Sequence, residues 1–544
     1  MLRIAKLAGL GVLCALLVPR SEAKPLDVAP MPRSAPAEVD RLLLEEVKAR
    51  SEIMKNLRYL SDEIGGRLTG SANLERANKW TAQKMKDYGL ENVRLEPWEI
   101  PYGWQRGKAE MKIVEPDTGR SLMIASAGWA PGTKGKVTGD VVIFTARTKK
   151  DLEAYKGKLK NAVILRQPPA KVAPISDLNY LGTRPEKKDE PKKDEPKKEE
   201  PKKDAPKKDS ADAFGVAFKL QPPAKEEPKK EQPKKDGGGG FGGGFQQFQN
   251  EVNAFLKAEG AACVVSDSGK PHGLLITTGS WGRTDRVAAE NGIARVFMAH
   301  EHYALLYRLA SREKEKTRVE VEIENTFIPG PIVVYNTIGE IKGSEKPDEV
   351  VVVGAHLDSW ELGSGTTDNG TGSCVVLETA RAIATLAKAG NRPKRTIRFC
   401  LFTGEEQGLH GSYKYVEKYK DELPKHSLAI VHDTGTGKVT GFGLQGRTYM
   451  KDSLDKELAA LKGLDGWKGL TAGGIGGGTD HWPFHKAGVP GFACNQDIDE
   501  YRLTHHTQSD TFDKAKEPNL IQGAQVMAVT AMRIANLPDL LPRK

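Results

Sequence analysis

Five short segments of this chain carry residue types that do hydrolytic chemistry. Val-Val-Val-Val-Gly-Ala runs into His356-Leu-Asp358, and Asp368-Asn-Gly-Thr-Gly follows ten residues after Asp358. Phe-Thr-Gly leads into the pair Glu405-Glu406, and Ala-Ile-Val leads into His432-Asp433. A late segment, His505-His506-Thr-Gln-Ser-Asp510-Thr, adds histidine again. Imidazole and carboxylate groups offered just past buried strands make the usual mixed-ligand cage for Zn²⁺. Five such ligands with a further carboxylate beside them point to two metal ions and a general base, the equipment for hydrolysis.

Each motif also has a plainer reading. A His-x-Asp is often only a hydrogen-bonded pair; followed by an aspartate in a glycine-rich turn, where small residues let backbone approach an ion, it becomes specific. Glu405-Glu406 on a helix would be a solvated pair. At the end of the strand expected over Ile397–Phe402, adjacent side chains diverge, so one can bind metal while the other faces water. Spacing alone does not say which. His432 reads as a packed neighbour of Asp433.

Taken with Gly-Gly-Arg67-Leu-Thr-Gly-Ser71 and Gly-Thr-Asp480-His481-Trp-Pro-Phe484, these motifs occur in the order found in the M28 family of di-zinc metallopeptidases, which the chain resembles over most of its length. The resemblance implies that His356, Asp368, Glu406, Asp433 and His506 hold two Zn²⁺ ions. Asp368 would bridge them, Glu405 would be the catalytic base, Asp358 would orient His356 from behind, and Asp510 would stand behind His506. It also implies peptide substrates. One departure stands out: where many aminopeptidases of the family carry a transition-state-stabilising tyrosine, this chain has Gly476. His481 or Tyr501 would have to supply that contact, with His505 as a further substrate contact. The glycine-rich variant is closer to the plasma glutamate carboxypeptidase (carboxypeptidase Q) branch, which shares the twelve-residue interval from His356 to Asp368.

The elements that must position these residues alternate in kind. Buried strands expected at Val350–Val353, Thr396–Phe402, Leu428–Val431 and Val489–Cys494 are separated by helical stretches, the pattern of an α/β fold with a mostly parallel mixed sheet flanked by helices. Ligands bind such sheets beyond the carboxyl ends of the strands, where His356, Glu405, Glu406 and Asp433 lie. The catalytic domain is expected at 40–125 and 327–544, with helices beginning near Asp40 and over Asn73–Tyr88. Residues 126–326 resemble a small β-rich protease-associated domain inserted in it. A low-complexity tract at 168–248 interrupts that module. Its Lys-Lys-Asp/Glu-Glu-Pro repeats cannot bury enough apolar surface to offset ordering entropy, so it is expected to be disordered.

Composition narrows the partners. The net charge of +10 is not concentrated: the tract from Glu186 to Asp236 holds 16 Lys against 14 acidic residues, and no basic stripe or aromatic-interleaved patch marks a nucleic-acid interface. Arg3 and Lys6, the apolar run Leu7–Val18 and Ser21-Glu22-Ala23 have the layout of a signal peptide at 1–23, followed by a leader at 24–39. The expectation is an exported periplasmic or extracellular protein with no membrane span after cleavage, and a homodimer is left open. Four cysteines remain without paired spacing, and those in apolar segments read as buried hydrophobes. The expected activity is an exopeptidase, aminopeptidase favoured, with carboxypeptidase or dipeptidase as the alternative. A receptor-like protein without catalysis, or a single-zinc acyltransferase of the glutaminyl-cyclase type, are the remaining alternatives.

Overall fold

The computed structural model describes residues 34–172 and 241–544 apart from 283, 313, 474 and 544. The expected signal peptide, most of the leader and the bulk of the low-complexity tract lie outside the described residues. Among those described, no helix is long and apolar enough to cross a membrane.

Two eight-stranded sheets organise the chain. At the centre of the first, Arg395–Phe402, Lys346–His356, His426–Val431 and Gly491–Gln496 run parallel in that order. Antiparallel neighbours extend it on both sides: Ile332–Ile341 and then Glu91–Ile100 beyond Arg395–Phe402, and Val439–Gly443 beyond Gly491–Gln496. The valine run explains the burial. Successive side chains of a strand point to opposite faces, so Val351 and Val353 enter the core under helices Thr371–Lys388 and Glu517–Asn536. Val350 and Val352 meet Tyr415 and Phe484 on the other face. A parallel sheet covered on both faces is the expected outcome of such a run.

Local signals mostly act where they stand. Ser71 caps helix Ala72–Tyr88 by accepting the Leu74 N–H, and Gly89, at φ +88, closes it in the left-handed conformation that favours glycine. The first helix starts at Pro36, inside the span expected as leader, and breaks at Ser51-Glu52 before Ile53–Arg58. The four described cysteines are free and buried, with burial raising every thiol above its ordinary range.

The second sheet pairs Ser121–Leu122, Gly103–Glu115, Arg318–Ile328, Val137–Ile143, Val163–Leu165, Cys263–Asp267, Ala294–Met298 and Ile124–Ser126, in that order. It begins at Gly103, so the boundary expected at 126 falls inside it: the long hairpin-like pairing of 103–115 with 318–328 carries the chain from one sheet to the other. The tract boundary also moves. Helix Phe241–Ala258 reaches back into the span expected as disordered, because Phe248 packs with Val252 and Leu256 against Ile164 and Val264. This helix covers one face of the module's sheet and His300–Ala310 the other. Five tryptophans, Trp98, Trp104, Trp129, Trp281 and Trp360, pack together where the two sheets meet.

At the end of the first sheet remote from the chemistry, buried His426 accepts from the Tyr415 hydroxyl (2.9 Å) at Nε2 and donates from Nδ1 to the Glu422 carbonyl (3.0 Å). Tyr415 is itself the acceptor for Arg398, so the imidazole is held neutral. Burial pushes its pKa down to about 4 from 6.5. An unfolded chain therefore binds more protons between these values, and stability falls as pH drops through them, by about 3 kcal/mol at pH 4. His426→Asn should flatten the fall of melting temperature between pH 6.5 and 4; an unchanged slope would place the acid sensitivity elsewhere.

Candidate metal centre

The site is assembled from loops at the carboxyl ends of the parallel strands. His356 ends its strand opposite Phe402. Its Nδ1 donates to the Asp358 carbonyl at 2.9 Å, which turns Nε2 to the acidic cluster, 2.8 Å from Asp433 Oδ1 and 3.4 Å from Asp368 Oδ1. The orienting group is thus the Asp358 main chain; its carboxylate stands at 3.6 Å from Nδ1. That carboxylate is engaged elsewhere. It accepts the main-chain N–H groups of Glu405 and Glu406 (3.3 Å each) and the Thr69 hydroxyl (3.1 Å), tying the His356 loop to the Glu405-Glu406 turn. The turn needs Gly404: φ is +72, and a Cβ there would meet Trp98 at 2.7 Å.

Asp368 lies in an irregular turn, Thr366–Gly370, that feeds helix Thr371–Lys388. Asp510 holds this turn by accepting the main-chain N–H groups of Thr367 (2.6 Å) and Asp368 (3.2 Å). It anchors the Asp368 turn rather than standing behind His506, the role expected for it. The two oxygens of Asp368 part company: Oδ1 faces His356, and Oδ2 lies 3.4 Å from His506 Nε2 and 3.8 Å from His505 Nε2. Glu406 Oε2 is 2.9 Å from the same His506 nitrogen. Asp433 follows strand His426–Val431, while the preceding His432 is buried, its carbonyl accepting from Asn369 and its ring pushed down to about 4 by burial. It is the packed neighbour its position suggested.

Ligand atoms of His356, Asp368 and Asp433 lie within 4.8 Å of one another, and so do those of Asp368, His505 and His506. The donor set fits divalent cations. Asp368 Oδ2 and Glu406 Oε1 are buried without a hydrogen-bond partner, an arrangement that proteins avoid unless something else binds there. Burial, with the neighbouring carboxylates, drives Glu405 and Glu406 well above the usual carboxylate range. A cation placed among them removes that repulsion.

Three residues expected near the chemistry divide. Tyr501 packs its ring on Gly435, 5.1 Å from the His505 ring. Burial and the charges of Asp368, Asp433 and Glu406 keep its phenol protonated, an O–H donor beside the acidic cluster. His505 stacks on His506 at 3.7 Å and is the more exposed of the two, its side chain 43% accessible. His481 faces another way: its Nε2 contacts Gln445 (3.0 Å) and the Gly476 carbonyl (3.2 Å), so it fastens the glycine-rich loop. Gln445 also accepts the Gly476 N–H at 3.0 Å.

The sequence offered no role for two cations that the fold brings close. Arg67 is fully buried and donates to the carbonyls of Leu357 (2.7 Å), Gly65 (3.0 Å), Ser364 (2.9 Å) and Gly365 (2.6 Å), so it braces the loop after His356. Lys270, from the second sheet, reaches the His505-His506 segment. The segment around Arg67 was visible as a motif; Lys270 had no signal at all. Asp480, also buried, accepts from the Ser412 hydroxyl at 2.5 Å and is raised to about 7, chiefly by burial.

Residues 336–531 match the family described as Peptidase family M28. Carboxypeptidase Q of Pongo abelii is 27% identical over 501 residues, covering 91% of this chain and 88% of that protein. Carboxypeptidase Q of Homo sapiens is 27% identical over 497 residues, with the same coverage. Among solved structures, a peptidase M28 precursor from Shewanella amazonensis aligns with a TM-score of 0.68 at 24% identity, over 93% of this chain and 98% of that one. A zinc aminopeptidase from Bacillus subtilis aligns at a TM-score of 0.56 and 20% identity, over 88% and 93%. Both structural likenesses are of fold.

Proposed function

We propose that this chain, a zinc metallopeptidase whose residues 336–531 form a Peptidase family M28 domain, is an exported exopeptidase that cleaves terminal peptide bonds at a centre of two Zn²⁺ ions. The observation that carries the reading is the division of Asp368, one oxygen toward His356 and the other toward His506. His356 and Asp433 would hold one ion, Glu406 and His506 the other, and Asp368 both. Bound zinc supplies Lewis-acid polarisation of the scissile carbonyl and acidifies water. Glu405, close to His356 and Asp433 but carrying no ligand role, takes the proton of the attacking water and delivers it to the leaving amine. Tyr501 donates its O–H to the carbonyl oxygen as charge develops there.

The aminopeptidase reading rests on charge. Recognition of a substrate carboxylate needs an available cation, and two of the described cations that lie against Asp368 and Asp510 are committed to main-chain carbonyls: Arg67 to four and Lys270 to two. The carboxypeptidase or dipeptidase reading is favoured by the relatives named carboxypeptidase Q, which span nearly the whole chain. Three substrates separate them: an amino-acyl anilide, a free dipeptide and an N-blocked dipeptide. An aminopeptidase cleaves the first two, a dipeptidase only the second, and a carboxypeptidase the third. Cleavage of none of them would overturn the exopeptidase reading.

A further inference from the structure

The loop that carries His505 and His506 is held from outside the catalytic sheet. Carbonyls of Arg502, His505 and His506 all accept from the second sheet's segment 268–281. Lys270 Nζ donates to Arg502 and His505 at 2.7 Å each, and the Thr277 N–H donates to His506 at 3.0 Å. Ile276 pairs with Thr507 as a short antiparallel bridge, and Gln508 exchanges hydrogen bonds with Leu275 (2.8 Å) and Gly273 (3.1 Å). The far end of the same segment reaches the other ligand turn. Trp281 packs on His410 at 4.6 Å, and Ser280 donates to the Gln407 carbonyl at 3.4 Å, just past Glu405-Glu406.

This loop has reason to need a clamp. His506 sits at φ +61, in the left-handed region that non-glycine residues enter only when neighbours over-determine the backbone. Lys270 is suited to supply that restraint. It stands three residues past the end of strand Cys263–Asp267, where Asp267 fixes the turn by accepting the N–H groups of Gly269 (2.9 Å) and Ala170 (2.9 Å). Its stem is half-buried, and an ammonium satisfies two carbonyls that converge on one point, a geometry beyond a single main-chain N–H.

We propose that Lys270 is a positioning residue for metal binding, through which the second sheet completes the Glu406–His506 half of the centre and leaves the His356–Asp433 half untouched. The proposal rests on the assignment of His506 as a ligand. Supporting groups of this kind change metal affinity by about 10–100-fold, and here the change falls on one ion of two.

The test is titration of metal-free full-length protein with Zn²⁺, and with Co²⁺ for its visible spectrum, in wild type, Lys270→Met, Lys270→Arg and His506→Ala. Lys270→Met should weaken one binding step by about 10–100-fold and alter the spectrum of that ion alone, with the other step unchanged. Lys270→Arg, which keeps donors for both carbonyls, should recover part of the loss. His506→Ala should remove the same step outright. If His506→Ala loses one metal while Lys270→Met binds both as wild type does, the proposal is overturned and the ligand assignment stands. If both variants bind two metals normally, the assignment of His506 fails and the proposal with it. Equal weakening of both steps in Lys270→Met would show a general structural role, which also overturns it.

Discussion

Replacing Glu405 with Gln should cut peptide hydrolysis by about 10²–10⁴-fold or more, the worth of a general base, while zinc content stays at the wild-type level. The expectation comes from position: Glu405 shares the buried acidic cluster with Glu406, yet only Glu406 has a carboxylate oxygen against His506, at 2.9 Å. Glu406→Gln should do the converse. It exchanges an anionic ligand for a neutral amide, so metal is lost first, and activity partly returns when zinc is added in excess. Added zinc should leave Glu405→Gln unchanged. Metal analysis of the two purified variants, beside initial rates with and without added zinc, decides it. The reverse pattern would mean that the neighbouring roles are exchanged, and two fully active variants would move the chemistry elsewhere.

Asp368→Ala should have the second large effect. Because its two oxygens face different histidines, one substitution removes a ligand from both halves of the centre. Wild-type protein should carry close to two zinc ions per chain, and the variant one or fewer. Metal assistance is worth several kcal/mol of transition-state stabilisation, and each 1.36 kcal/mol is tenfold in rate, so a loss of roughly 10³-fold is expected. Chelation of the wild type should reproduce it, with activity returning as the second equivalent of zinc is restored. Full activity at one zinc per chain would sink the bridging role.

Much of the framework was legible in the residue pattern, for reasons that are local. Four consecutive valines before His356 can bury both faces of a strand, and the same logic located the strands that end before Glu405 and Asp433. A buried parallel sheet presents the loops after its strands along one edge, so the candidate ligands are expected together from strand signals alone. The α/β class and the capped helix at Ala72–Tyr88 are likewise decided by periodicity, caps and breakers within a few residues.

Tertiary structure alone decided the contacts between residues far apart in the chain, for which no short-range signal exists. Asp358 was expected to turn its carboxylate to His356, two residues away; it stands 3.6 Å from that ring, and packing also brings it to the Glu405-Glu406 main chain, 47 and 48 residues on. Asp510 likewise serves the Asp368 turn, and His481 the glycine-rich loop. Where one unit ends and the next begins also depends on pairing: strand Gly103–Glu115 belongs to the second sheet because Arg318–Ile328 pairs with it. Lys270 is the clearest case. A lone lysine in a loop has no pattern to read, and its partners stand 232 and 235 residues away. Sequence determined which residues could do the chemistry and the edge on which they would gather, because strand and helix signals are short-ranged. Only the folded chain decided which carboxylate meets which histidine, because a side chain's hydrogen-bonding capacity is taken by whatever the packed loops bring within reach.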